Sequence, residues 1–231
     1  MTETQHHKLS AIIPAYNEAG RVGRVVRQTR RYVDEVLVVD DGSRDATREE
    51  AHKAGAEVVA NRFQKGYIGA IKTGFQEATG EILITLDADG EHDPADIPKL
   101  VEPIIAGEAD LVLGGRPSIP RPSERFLGWL ARMRVRGVRD VGTGFRALRR
   151  DLARKLELRG RCTCGTFVLE AALLGARVRE VPVRGRPPLI PKRRRILWEH
   201  GPQAVYVLRL LLRPRFLRRR DTSHGGSAAG E

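Results

Sequence analysis

Three carboxylates recur at two-residue spacing in TLDADGEHDP, where Asp87, Asp89 and Glu91 follow an apolar run ending at Leu86. Hard oxygen donors so placed suit magnesium or manganese, which needs only one or two protein carboxylates when phosphate oxygens and waters complete its shell. If the extended backbone continues, alternate side chains share a face and the three converge. Gly90 equally permits a turn between them. Asp93, just ahead of Pro94, has the character of a helix N-cap. The plainer reading of Glu91 and His92 is solvated loop.

Two more apolar runs end in polar turns, IPAYNEAG from Ile13 and VVDDGSRDAT from Val38. Ligands of open α/β sheets bind outside the carboxyl ends of the strands, so three such turns at one sheet edge imply a single cleft. Asp40 and Asp41 place a carboxylate near a nucleoside, or Asp40 is merely the polar exit of its strand; Ser43 and Asp45 have the chemistry to cap the next helix. Arg116 follows Gly114 and Gly115 at a strand end, where a guanidinium can reach a phosphate. Arg146 either does the same or pairs with Asp140.

The elements that must position these groups alternate. Strands are expected at Leu9–Pro14, Glu35–Asp40, Glu57–Ala60, Glu81–Leu86, Asp110–Leu113 and Arg177–Val183. Between them the pattern predicts helices at Glu18–Arg31, Asp45–Ala54, Gly66–Ala78, Ile97–Ala106, Glu124–Val135 and Thr166–Leu174. This is an α/β chain with a mainly parallel central sheet flanked by helices. Residues 1–8 read as a flexible N-terminus, 9–183 as the catalytic domain, 184–220 as a basic linker with an amphipathic helix around Pro202–Leu212, and 221–231 as a disordered tail.

Composition narrows the partners. The chain has 231 residues and a net charge of +12. Residues 1–110 hold 13 Lys/Arg against 20 Asp/Glu, whereas residues 111–231 hold 28 against 9. An acidic half able to hold metal is thus joined to a half that attracts phosphates, anionic lipid headgroups or nucleic acid. Nucleic acid is not expected as a partner, since no nucleic-acid module is present and aromatics make up 5% of the chain. Cys162 and Cys164 lack the second pair of a zinc site and read as reduced structural thiols. No signal peptide opens the sequence, and no run approaches the roughly 20 apolar residues of a membrane span. The tail, rich in Trp198, Tyr206, leucines and arginines, suits a helix lying among lipid headgroups or one docked on the core.

Six segments, in order, resemble family 2 glycosyltransferases of the A-type nucleotide-sugar fold, nearest to dolichol-phosphate mannose synthase and related polyprenyl-phosphate sugar transferases. They are Pro14-Ala-Tyr-Asn-Glu18, Asp40-Asp-Gly-Ser-Arg-Asp-Ala-Thr47, Lys65-Gly66 with Lys72-Thr-Gly-Phe75, Asp87-Ala-Asp89, Gly114-Gly-Arg116 and Asp140-Val-Gly-Thr-Gly-Phe-Arg146. The resemblance implies a Rossmann-like fold over about Ser10 to Val183 and inverting, metal-dependent transfer of a sugar, mannose or glucose, from a GDP- or UDP-linked donor to dolichyl or polyprenyl phosphate. It puts Pro14, Tyr16, Glu18, Asp41, Lys65 and Asp87 on the nucleotide side and Asp89 and Glu91 on Mg2+ or Mn2+. Glu91 stands where the family usually has Gln.

A lipid phosphate is already anionic and needs no general base, but it does need cations. Arg116, Arg132, Arg134, Arg146 and the Lys192–Arg195 cluster with Arg194 are the candidates, with Asp89 and Arg116 expected at the chemistry. The implied location is cytoplasmic, peripheral at the inner face of the membrane. Against the family pattern, the Arg116–Asp140 segment is short, and PPLIPKRRR replaces an Arg…Ser-Lys motif. Alternatives are a soluble hydroxyl or phosphorylated acceptor, with Asp140 as base, and a nucleotide-binding pseudoenzyme.

Overall fold

The computed structural model describes residues 6–119, 122–160, 162–186 and 201–213. Arg194, the rest of the Lys192–Arg195 cluster, Trp198 and the 221–231 tail lie outside the described residues.

Strands β1 (Leu9–Ala15), β2 (Glu35–Asp40), β3 (Glu57–Ala60) and β4 (Ile82–Thr85) alternate with helices α1 (Val22–Thr29), α2 (Thr47–Lys53) and α3 (Gly66–Glu77). After a short 3-10 turn at Pro94–Asp96 come α4 (Ile97–Ile105), β5 (Leu111–Gly115), α5 (Pro122–Arg132), β6 (Arg146–Arg149), α6 (Arg150–Ala153), α7 (Thr166–Leu173), β7 (Val178–Pro182) and α8 (Gly201–Leu212). They form one seven-stranded sheet in the order β3-β2-β1-β4-β6-β5-β7. β6, absent from the sequence reading, runs antiparallel to both β4 and β5. The other pairings are parallel.

Parallel strands covered on both faces read as near-continuous apolar runs, and β1, LSAIIPA, is buried from Ser10 to Ala15. One face of the sheet packs against Val22, Val25 and Val26 of α1 and Ile97, Leu100 and Val101 of α4. The other packs against Ile68, Ile71 and Phe75 of α3, Leu127 and Leu130 of α5, and Phe167 and Val168 of α7.

Helix α8 belongs to that second layer. Val207 and Leu210 are buried in the same apolar cluster, and the Tyr206 hydroxyl donates to Glu170 at 3.1 Å. Arg134 Nη2 donates to the Leu211 and Arg213 carbonyls at 2.5 and 2.7 Å, so a cation closes the C-terminal end of α8, where the helix dipole favours one. Of the two readings of the tail helix, residues 201–213 take the docked one. The opposite face of α8 exposes Val205, Leu208 and Leu212. Among the described residues no helix is long and apolar enough to cross a membrane.

Candidate active site

A cleft of about 450 Å3 opens at the carboxyl ends of β1, β2 and β4. One wall is Pro14, Ala15, Tyr16, Glu18 and Asp41; Tyr67, Asp87, Ala88 and Asp89 line its middle; Glu124, Gly142, Gly144 and residues 162–164 line the other side. Of the expected site residues, Pro14, Tyr16, Glu18, Asp41, Asp87 and Asp89 are therefore brought together.

The first wall is built by two loops bonded to each other. The backbone N–H groups of Asn17, Glu18 and Ala19 donate to Ser43 Oγ, Thr47 Oγ1 and Asp45 Oδ2 at 2.9, 2.8 and 3.1 Å. In return the Arg44 backbone N–H donates to the Asn17 side-chain oxygen at 2.9 Å. Ser43 and Asp45, expected as caps of the next helix, thus spend much of their capacity on the β1–α1 loop, although Asp45 also accepts from Thr47 N at 3.1 Å. Asp40 is fully buried, accepting from Ser43 N and from Arg48 Nε at 2.6 Å. It is the polar strand exit.

Asp41 accepts from Asn61 Nδ2 at 2.9 Å and from the backbone N–H groups of Lys65 and Gly66 at 2.8 and 2.7 Å. Its carboxylate therefore fastens the loop leading into α3 against the cleft. Lys65 contributes this backbone bond, while its exposed ammonium lies 3.5 Å from Thr73 Oγ1. Glu18 is paired with Arg21 at 2.6 Å.

The acidic segment does not continue as a strand. Gly90 has φ +79°, a conformation that glycine adopts without Cβ strain, and Asp89 Oδ1 accepts from Glu91 N at 3.0 Å. The turn keeps Asp87 and Asp89 at the cleft, whereas Glu91 is not among the residues lining it. The extended backbone that would set all three side chains on one face does not continue through Gly90. Glu91 instead offers its carbonyl to Arg186 N at 2.9 Å.

His92 is a buried neighbour of the motif rather than a solvated loop residue. Its Nε2 is 3.2 Å from Asp87 Oδ2, and its ring stacks on Phe145 with 5.2 Å between centroids. On the other side Gly144 leaves no room for a side chain, since a Cβ there would lie 2.4 Å from Asp87 Oδ2. Asp93 caps the 3-10 turn as expected, accepting from Ala95 N at 3.1 Å, and also pairs with Arg186 at 2.8 Å.

Asp96 ties the chain after β7 across this loop, accepting from Arg184 N at 2.6 Å and from Lys99 Nζ at 2.7 Å. Burial would raise its pKa, but the Lys99 and Arg184 contacts outweigh that and hold it below the ordinary value. A carboxyl depressed on folding contributes stability that is fully present above its unfolded pKa, near 4, and is lost as pH falls through the folded value. Asp96→Asn is therefore expected to flatten the fall in Tm below about pH 4. Circular-dichroism melts from pH 7 to 3 that give equal acid slopes for both proteins would contradict the assignment.

The arginines are placed differently from the expectation. Arg116 donates from Nε and Nη2 to Asp140 at 2.6 and 2.8 Å, and from Nη2 to Glu124 at 3.0 Å. Burial would lower its pKa, but those two carboxylates raise it above the ordinary value. The Nε and Nη2 side of its fork is taken by these carboxylates, and 21% of the side chain remains exposed. Asp140 is fully buried in this pairing, which removes it as a candidate base. Arg146 is also fully buried, so an acceptor at the protein surface does not meet it; nor does it pair with Asp140, whose carboxylate holds Arg116. Arg134 is committed to the end of α8. Arg132 is exposed on α5.

Sequence reasoning missed Tyr67, Glu124 and His92, and took Cys162 and Cys164 for core thiols although both line the cleft. His92 lay inside the quoted motif, so its position was the available signal. Hydrogen bonding to Cys164 lowers the Cys162 thiol pKa, although burial opposes it. Among the described residues no group of three His, Cys, Asp or Glu side chains is arranged to hold a metal. What Asp87 and Asp89 could fit is a cation shared with a ligand: they offer hard oxygens at the cleft, and phosphate and water would complete the shell.

The family model for Glycosyl transferase family 2 matches residues 10–169. The chain belongs to that family. This family 2 glycosyltransferase is 32% identical over 203 residues to the undecaprenyl-phosphate mannosyltransferase of Micrococcus luteus, covering 76% of this chain and 82% of the relative. It is also 32% identical over 172 residues to the dolichol-phosphate mannosyltransferase of Pyrococcus furiosus, covering 65% of this chain but 49% of that longer protein. Among solved structures it resembles glucosyl-3-phosphoglycerate synthase of Mycobacterium tuberculosis in complex with Mn2+, UDP-glucose and glycerol 3-phosphate. The TM-score is 0.70 at 25% identity, over 89% of this chain and 79% of the other. The same enzyme with Mg2+ and UDP gives a TM-score of 0.71 at 26% identity, over 89% and 78%.

Proposed function

We propose that the protein transfers a hexose from a nucleotide sugar to a polyprenyl or dolichyl phosphate, with inversion and with a divalent cation at Asp87 and Asp89. Pro14, Tyr16, Glu18 and the loop fastened by Asp41 hold the nucleoside. When bound, the cation stabilises the charge that develops on the departing diphosphate. The relatives' named substrates and the Mn2+ and Mg2+ complexes of the structural neighbour support this reading.

The observation that carries the choice of acceptor is the commitment of Asp140 and Glu124 to Arg116. A hydroxyl acceptor needs a base within reach, and both of these carboxylates are taken. A phosphate oxygen attacks without one. Phe126 and Trp129 are exposed on α5, Met133 just beyond its end, and Val205, Leu208 and Leu212 on the contacting α8. Arg125, Arg132, Arg136 and Arg209 stand among them. Aromatic and basic side chains so mixed suit the headgroup region of an anionic membrane, where the acceptor resides.

A second reading, a soluble phosphorylated acceptor, is favoured by the likeness to glucosyl-3-phosphoglycerate synthase, solved in complex with phosphoglyceric acid. Incubation with GDP- and UDP-sugars, Mn2+ and either polyprenyl phosphate or 3-phosphoglycerate separates the two. Glycolipid is the expected product; a water-soluble glycoside alone would establish the second reading, and donor binding without transfer a pseudoenzyme. Phe126→Ser together with Trp129→Ser is expected to weaken flotation with anionic vesicles about tenfold or more, since each exposed ring forfeits kilocalories of apolar transfer. Unchanged flotation would remove the membrane face.

A further inference from the structure

The sheet carries a buried cation beneath the acidic motif. Arg146 opens β6 opposite Thr85 of β4 and Leu113 of β5, with none of its surface exposed. Its guanidinium carbon lies 4.6 Å from the centroid of the Phe167 ring, and Nη2 donates to Thr163 Oγ1 at 2.9 Å. Nε and Nη1 make no hydrogen bond. A buried donor left unsatisfied costs roughly 1–3 kcal/mol, and more when charged.

Those donors lie close to a second orphan. The buried Tyr67 hydroxyl has no hydrogen bond of strict geometry, but it lies within looser hydrogen-bonding reach of both Asp87 and Arg146. Tyr67, Asp87 and Thr163 all line the cleft. Asp87 is also flanked by His92 and by Gly144, whose missing side chain the carboxylate occupies, while about a third of the Asp87 side chain (32%) stays exposed. Arg146 is fully buried, so its charge is screened less than that of a surface arginine.

We propose that Arg146, with Tyr67 beside it, is a positioning residue that holds Asp87 turned into the cleft, so that a divalent cation bound with a nucleoside diphosphate meets a preoriented carboxylate. The inference rests on the reading that Asp87 and Asp89 face that cation. Arg146 acts from below through Asp87 and does not touch the ligand, and the cation-π contact with Phe167 and the Thr163 bond keep it there. Its unsatisfied donors are the cost of a charge retained for the site rather than for the core.

The test measures binding of GDP and UDP by calorimetry, with and without Mn2+, for the wild type and for Arg146→Met, Arg146→Lys and Tyr67→Phe, alongside each Tm. Mn2+ is expected to strengthen binding of the preferred nucleotide in the wild type. In Arg146→Met this Mn2+-dependent gain should fall tenfold or more, while metal-free nucleotide affinity and Tm stay near wild type. Arg146→Lys should restore part of the gain, and Tyr67→Phe, which keeps the ring packing, should lose part of it. An undiminished gain in both Arg146→Met and Tyr67→Phe overturns the inference. So does an equal loss with and without Mn2+, which is the mark of a structural role. A wild type that binds nucleotide with no Mn2+ gain overturns the metal reading itself, and the positioning role with it.

Discussion

Asp89→Asn is expected to lower metal-dependent transfer on the order of 10²–10³-fold or more, the scale of losing one electrostatic contact to a developing charge, while leaving Tm unchanged. Asparagine is more informative here than alanine. The carboxylate has two separable tasks: Oδ1 accepts the Glu91 N–H that makes the turn, and the charge faces the cleft. An amide oxygen keeps the turn and loses the charge. Product formation measured across Mn2+ concentrations distinguishes the two. If the Asn variant works as well as the wild type and only Asp89→Ala fails, Asp89 matters for the turn alone. Glu91→Gln should change turnover little, because Glu91 lies outside the cleft lining.

The second large effect falls on stability. Asp140 is fully buried and receives both the Arg116 fork and the Arg116 backbone N–H at 3.1 Å. Removing one partner of such a pair leaves the other charge uncompensated, at a typical cost of 3–5 kcal/mol. Arg116 retains 21% exposure and a second partner in Glu124, which places the loss for Asp140→Asn nearer to about 2–3 kcal/mol. In a domain of this size that lowers Tm by roughly 5–10 °C. Combined with Arg116→Met, the loss should be smaller than the sum of the single losses, because the pair is broken only once. Thermal denaturation of the four proteins checks both statements. If Asp140→Asn leaves Tm intact, the cluster is not what anchors Arg116, and the expectation of a phosphate contact regains its force.

The parallel half of the sheet was legible because its strands are long apolar runs separated by amphipathic helices; β3 is found at the expected Glu57–Ala60. Helix α1 was expected from Glu18 but begins at Val22. Asn17 at φ +54° and Gly20 at φ +81° hold the preceding residues in a loop stitched to residues 43–50. That requirement is set by partners about 25 to 30 residues away and leaves little trace in local periodicity. β6, RALR, was invisible for a related reason: two arginines in four residues do not read as a central strand. The same limit governs the site. Residue types marked the carboxylates, but the turn at Gly90 decided which of them reach the cleft, and Asp140 decided what Arg116 does. Neither partner choice follows from spacing.

The insertion of β6 between β4 and β5 gives the molecule an order of birth. Strands β1 to β4 pair through successive crossovers within residues 9–85, so the nucleotide wall closes on contacts available early to a chain made from its N-terminus. β5 has no partner next to it until β6 arrives some thirty residues later. The far wall, with Gly144 against Asp87, is thus the last part of the cleft to exist. A nascent chain halted before β6 would have the first wall of the cleft while lacking the wall that faces it.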